Sequence, residues 1–179
     1  LPGNLSPREA VLAALKDKPD GVLESIADTH GVSYADVLDC LPVDQCIAVP
    51  GERFDEIWQE LTGWGAVMFI VHTINGVIEV KAELPPGEHG RGYFNIHGSG
   101  PLGGHLRIAR CARICFLDRP FFGRRSCSIQ VIDRDGAAMF KIFVARDANR
   151  ELVPDQLERF DALKVRMAER GTSTGPLRR

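Results

Sequence analysis

Between Phe69 and Arg146 the chain repeatedly runs through a few β-branched and aromatic residues and then stops at glycine, proline or Asn-Gly. Stops spaced by roughly eight to twelve residues mark short strands joined by tight turns. The run from Gly92 to Arg146, preceded by the hairpin FIVHTINGVIEV (Phe69 to Val80), therefore reads as an antiparallel meander, and any fold must be built around that sheet.

The flanks read as helices. Ser6-Pro7-Arg8-Glu9 is a capping box with proline at the first helical position, and it opens a helix through about Lys16. Asp20 is expected to cap a second helix stopped by His30-Gly31, and Ser33 to Asp36 begins a third that ends at Leu41-Pro42. Past a break at Val49-Pro50-Gly51, the residues Phe54, Ile57, Trp58 and Leu61 recur at helical spacing. Pro154 opens a last helix through about Arg170, with Leu157, Phe160, Leu163 and Met167 on one stripe. The predicted architecture is α+β: a large antiparallel β-sheet meander flanked by N-terminal helices and a C-terminal helix. It forms one domain over residues 1–170, with a helical part over 6–48 and sheet plus helices over 51–170. A small, basic tail over 171–179 is expected to be disordered.

Within the hairpin, Asn75-Gly76 is the expected two-residue turn. Alternation then places His72 on the same face as Met68 and Ile70, where an imidazole either bonds a neighbour or faces a ligand. PPGEHG (Pro85 to Gly90) reads as a turn-rich connection with a solvated His89. After it Tyr93, Asn95 and His97 share one face, and Phe94 and Ile96 the other. The glycine-rich stretch Gly98 to Gly104 lacks the phosphate-loop pattern and reads as a flexible rim beside a pocket or a close backbone approach. His105 opens the next strand. Arg119 to Arg125 links two strands, and there Phe121-Phe122 precede Arg124-Arg125. That order suits a flat apolar ligand with anionic ends, or a hairpin with two buried rings and two solvated charges. The last strand, Ala138 to Ala145, is largely apolar on both faces, one for helices and one for a ligand or second subunit.

Composition excludes several classes. A formal net charge of −2 gives no general attraction to nucleic acid, and Asp20 to Leu41 carries five acidic residues and no lysine or arginine. A helix-turn-helix reading of that segment fails on charge, because a recognition helix must lie against phosphates. No apolar run approaches the roughly 20 residues of a membrane span. Five cysteines without paired zinc spacing point to reduced, mostly buried thiols and a cytoplasmic setting. No nucleophile elbow and no facing carboxylate pair appears, so catalysis by side chains alone is not expected.

Histidine, methionine, aromatics and arginines around an apolar sheet suit a metalloporphyrin, whose iron accepts imidazole and whose propionates need cations. His72 and His97 are the candidate iron ligands, and Arg124 and Arg125 the candidate propionate partners. Over about Pro19 to Leu163, the stretches DGVLESIADTHGVSYADVLDCLP, VPGERFDEIWQELTGWG, FIVHT, GYFNIHG, GGHLRI, FLDRPFFGRRSCSIQ and AMFKIFVARDANREL resemble the cytosolic haem-utilisation carrier family (HutX/ChuX). The resemblance implies a fold like one half of the larger HemS-type haem proteins. It also implies a homodimer and reversible, non-covalent binding of haem b in transit from a donor transporter to a haem-degrading acceptor. His72 matches the family's histidine-bearing strand motif. The segment around His97 departs from the family pattern, in which some members carry arginine there and a histidine in the loop beyond. A haem-degrading enzyme is the alternative reading.

Overall fold

Strands that are apolar on both faces must be covered on both sides. At the centre of the computed structural model, which describes residues 5–171, is a large sheet that meets this demand fully on one face and in part on the other. Its six antiparallel strands are β1 (Cys46–Pro50), β2 (Ala66–Thr73), β3 (Gly76–Glu83), β7 (Cys111–Phe121), β8 (Arg124–Asp133) and β9 (Ala138–Phe143), in the order β1-β7-β8-β9-β2-β3. A separate three-stranded sheet is made by β4 (Gly87–Gly90), β5 (Tyr93–Ile96) and β6 (Gly104–Leu106).

Alternation decides what each face meets. On one face Val67, Phe69, Ile114, Phe116, Ile129, Val131, Phe140 and Ile142 form a buried cluster with α4 (Phe54–Leu61) and α5 (Pro154–Gly171). The predicted helical positions Phe54, Ile57, Trp58 and Leu61 are all buried there, as are Phe160, Leu163 and Met167. Each such side chain contributes roughly 1.5–3 kcal/mol relative to exposure. Trp58 adds a hydrogen bond from its indole N–H to the Pro85 carbonyl, 2.9 Å.

The opposite face is only half covered. Helices α1 (Pro7–Asp17), α2 (Leu23–His30) and α3 (Tyr34–Leu38) pack Val11, Leu15, Leu23, Ala27, Val37 and Leu38 onto Cys115, Leu117 and Ile132. Tyr34, Val37 and Leu38 of α3 are buried in this cluster, and the exposed residues of the helix and its C-cap, Asp36 and Asp39, are acidic, the wrong charge to lie against phosphates. The β9, β2 and β3 part of the same face stays open, and that asymmetry creates the cleft described below.

Several expectations change in detail. The capping box at Ser6 forms as read, Ser33 starts α3 with a second capping box to Asp36, and Gly31 closes α2 in the left-handed conformation. Asp20 does not cap α2, whose N-cap is Val22. It binds the β7–β8 turn instead, its carboxylate accepting from Gly123 N at 2.9 Å and its carbonyl from Phe122 N at 3.1 Å. In the first hairpin Thr73 pairs with Gly76, so the two-residue loop is Ile74-Asn75 rather than Asn75-Gly76. Thr73 Oγ1 accepts from Asn75 N at 3.2 Å, and neither loop residue needs a positive φ. Pairings move by two positions, which leaves every side chain on its predicted face.

Sequence reading also missed β1, a short edge strand ending in proline, and took β4 for a turn. In β4 the ring of Phe94 lies where a side chain on Gly87 would be, 2.2 Å from an added Cβ, so only glycine lets the two strands close. The close-approach reading of the glycine-rich stretch holds at Gly98, which passes against the Pro85 ring. All five thiols are free. The predicted tail lies outside the described residues beyond Gly171, where α5 ends.

Candidate functional site

The uncovered half-face of the sheet is the floor of a cleft of about 500 Å³. That volume falls in the roughly 300–1,000 Å³ range of ligand sites. Sheet register builds the floor in rows. Lys81, Met68, Phe143, Ser128 and Leu117 follow one another across neighbouring strands, and Glu79, Ile70, Lys141 and Gln130 form the next row. Val22, Leu23 and Glu24 at the start of α2, with Tyr34 of α3, supply the wall, and Phe121, Arg119 and Arg146 extend the lining. Most of the exposed lining is apolar, as a flat hydrocarbon ligand requires.

His72 lies beside Met68 and Ile70 on that floor, as the strand alternation predicts. Its side chain is three-quarters buried, and its Nδ1 sits 3.0 Å from Glu24 Oε1. Glu24 also pairs with the ammonium of Lys141, which is almost fully enclosed and lies 4.5 Å from the centre of the Tyr34 ring. Lys141 donates to Tyr34 Oη at 3.1 Å, Tyr34 donates to Gln130 Oε1 at 2.7 Å, and Gln130 donates to Ser128 Oγ at 3.0 Å. Burial pushes the Lys141 ammonium below its ordinary pKa and the Tyr34 phenol well above its own, so Tyr34 is a neutral donor.

The basic lining side chains are Lys81, Arg119, Lys141 and Arg146, against the carboxylates of Glu24 and Glu79. The excess is positive, which suits an anionic ligand. Arg146 donates to the Arg150 and Arg125 carbonyls, and Lys81 donates to the Arg146 carbonyl at 3.5 Å. Bonds to carbonyls hold these cations in place without neutralising them. Arg119 donates to the carbonyls of Pro19 and Gly21 at 2.9 and 3.0 Å, which ties the wall to the floor.

The other predicted site residues lie elsewhere. His97 follows β5 in the small sheet, exposed, with its ring 6.5 Å from that of His105. It is not among the cleft-lining residues. His105 Nδ1 lies 2.6 Å from Asn95 Oδ1, and His89 pairs with Asp55 at 2.8 Å. Arg125 lies on the sheet face opposite His72, where its guanidinium binds Asp118 in bidentate fashion at 2.9 and 2.7 Å. Arg124 donates to the Arg150 carbonyl at 3.2 Å. The structure thus brings His72 together with Glu24, Lys141, Lys81, Arg119 and Arg146, none of which the sequence reading assigned to the site. Lys81 and Lys141 carried a legible signal: alternation along the hairpin puts Lys81 on the face of His72, and Lys141 interrupts an otherwise apolar face of the last strand.

Comparison with known proteins agrees with this architecture. The family model described as "Haem utilisation ChuX/HutX" matches residues 47–163. The intracellular heme transport protein HutX of Vibrio cholerae is 32% identical over 158 residues, 88% of this chain and 82% of that protein. A crystal structure of a protein from Erwinia carotovora shares 40% identity and a TM-score of 0.84, covering 92% of this chain and 99% of that one. The heme-binding protein ChuX superposes with a TM-score of 0.79 at 35% identity, covering 87% and 97% of the two chains. In fold alone, 90% of this chain matches 48% of holo-PhuS of Pseudomonas aeruginosa at a TM-score of 0.72 and 14% identity. This is the half-protein relation that the sequence resemblance implied. The chain belongs to the haem utilisation ChuX/HutX family.

Proposed function

We propose that this chain is an intracellular haem carrier whose ligand lies in the half-face cleft, with His72 as the iron ligand. The observation that carries the reading is the position of His72: an imidazole on the floor of an apolar cleft of about 500 Å³ whose lining holds more cations than carboxylates. Met68, Ile70, Phe143 and Val77 offer contact to the porphyrin body. Arg146 and Lys81, held by carbonyls among the described residues, are the propionate partners of this reading. Haem b is the form these groups accept, because they provide one imidazole and no covalent attachment. A single imidazole suits reversible loading better than two. His97, which follows β5 of the small sheet, and Arg125, occupied by Asp118, stay outside this arrangement, as does Arg124, which does not line the cleft.

The relatives' names support the carrier reading over the degradative one: HutX is an intracellular heme transport protein and ChuX a heme-binding protein. Among the described residues no helix is long and apolar enough to cross a membrane. The outer edge of β3 has no strand neighbour among the described residues, and Ile74 and Ile78 beside it are exposed. A homodimer that covers this edge fits both the resemblance and the exposed side chains. In the cytoplasm such a protein takes haem from an import system and passes it to an acceptor that stores or degrades it. Hemin titration of wild type and His72→Ala tests the assignment.

A further inference from the structure

Glu24 stands outside the span matched by the family model, on a helix that could be taken for a structural cover. We propose that Glu24 is the positioning residue for His72, so that the N-terminal helices complete the haem site; this rests on His72 being the iron ligand.

Its carboxylate lies 3.0 Å from His72 Nδ1, and the distance crosses from α2 to β2. Glu24 is itself held, because the same Oε1 pairs with Lys141, whose side chain is 6% exposed and whose ammonium donates onward to Tyr34. A carboxylate fixed by a buried cation on one side can fix an imidazole on the other. It sits in the first turn of α2, where the helix dipole favours negative charge. Histidines that ligate metals commonly donate the second ring N–H to a carboxylate, which sets the tautomer, orients the ring and raises the basicity of the ligating nitrogen. Here the proton is held on Nδ1, and Nε2 keeps its lone pair for iron. Glu24 touches neither iron nor porphyrin in this role.

The test uses the full chain with hemin and four proteins: wild type, Glu24→Gln, Glu24→Gln/Lys141→Met and His72→Ala. The double variant removes the stranded ammonium with the carboxylate, so that loss of folding does not stand in for loss of positioning. Three quantities are read: hemin affinity, the iron–histidine stretching frequency of the reduced complex, and the midpoint potential. Both Glu24 variants are expected to bind hemin about 10- to 100-fold more weakly, with a lower stretching frequency and a more positive potential. A merely structural carboxylate would move neither the frequency nor the potential. Wild-type values of all three in both Glu24 variants, with binding lost in His72→Ala, would overturn the role of Glu24 alone. Undiminished binding by His72→Ala would overturn the site itself, and the role of Glu24 with it.

Discussion

Glu24 Oε1 and His72 Nδ1 are 3.0 Å apart, and this contact joins the N-terminal helical layer to the half of the sheet that those helices leave uncovered. Cleft and cover are therefore one unit. The wall residues Val22 to Glu24 are also tied to the floor by Arg119, which spans to the carbonyls of Pro19 and Gly21.

Anchoring by Arg146 is tested with the propionates. Arg146→Ala should weaken hemin binding roughly ten-fold, the worth of one charge-assisted hydrogen bond of about 1.5 kcal/mol. Haem dimethyl ester, which lacks the charges, should bind wild type and variant alike. An equal loss for both ligands would assign Arg146 a packing role.

Trp58 tests the covered face. Its indole is buried and donates to the Pro85 carbonyl at 2.9 Å. Trp58→Ala should cost about 3–5 kcal/mol in denaturant unfolding. Trp58→Phe, which keeps a ring but leaves a carbonyl unpaired, should cost roughly 1–3 kcal/mol.

The Arg125–Asp118 pair predicts an acid limb in stability. Bidentate bonding by Arg125 holds the Asp118 carboxyl below the usual carboxylate range. A carboxylate with a depressed folded-state pKa contributes stability that is full above its unfolded value of about 3.9 and is lost as pH falls through the folded value. Wild type should therefore lose stability in the region below about pH 4, and Arg125→Ala should show a shallower fall there. Hemin affinity at neutral pH should be unaffected by Arg125→Ala, since this side chain lies on the sheet face away from His72.

As a carrier, the protein should return haem intact. With ascorbate in air, the Soret band of the loaded protein should persist, while stoichiometric bleaching to a defined tetrapyrrole would support the degradative alternative.

Much of this architecture was legible because the relevant signals are local. Period-two alternation placed Met68, Ile70 and His72 on one face even though the turn lies one residue earlier than Asn75-Gly76 suggests, because a pairing shift of two preserves faces. The capping box at Ser6 and the helix start at Ser33 were legible for the same reason. Long-range partners were not. Nothing in the local sequence around Asp20 says that it serves a turn some hundred residues onward, and nothing around Glu24 says that it meets both His72 and Lys141. Arg125 looks available beside two aromatics in sequence, but strand pairing sets it opposite Pro120, two residues along β7 from Asp118 and on the same face, and its guanidinium binds that carboxylate. β1 and β4 escaped because a proline end and a glycine-rich edge both carry weak strand propensity.

The central claim is tested most directly by absorption titration with hemin of wild type, His72→Ala, His105→Ala and His30→Ala. The account predicts a saturable Soret shift for wild type and for the His105 and His30 variants, and a strongly diminished shift for His72→Ala. A His72→Ala titration that overlays wild type in band position and affinity would contradict it.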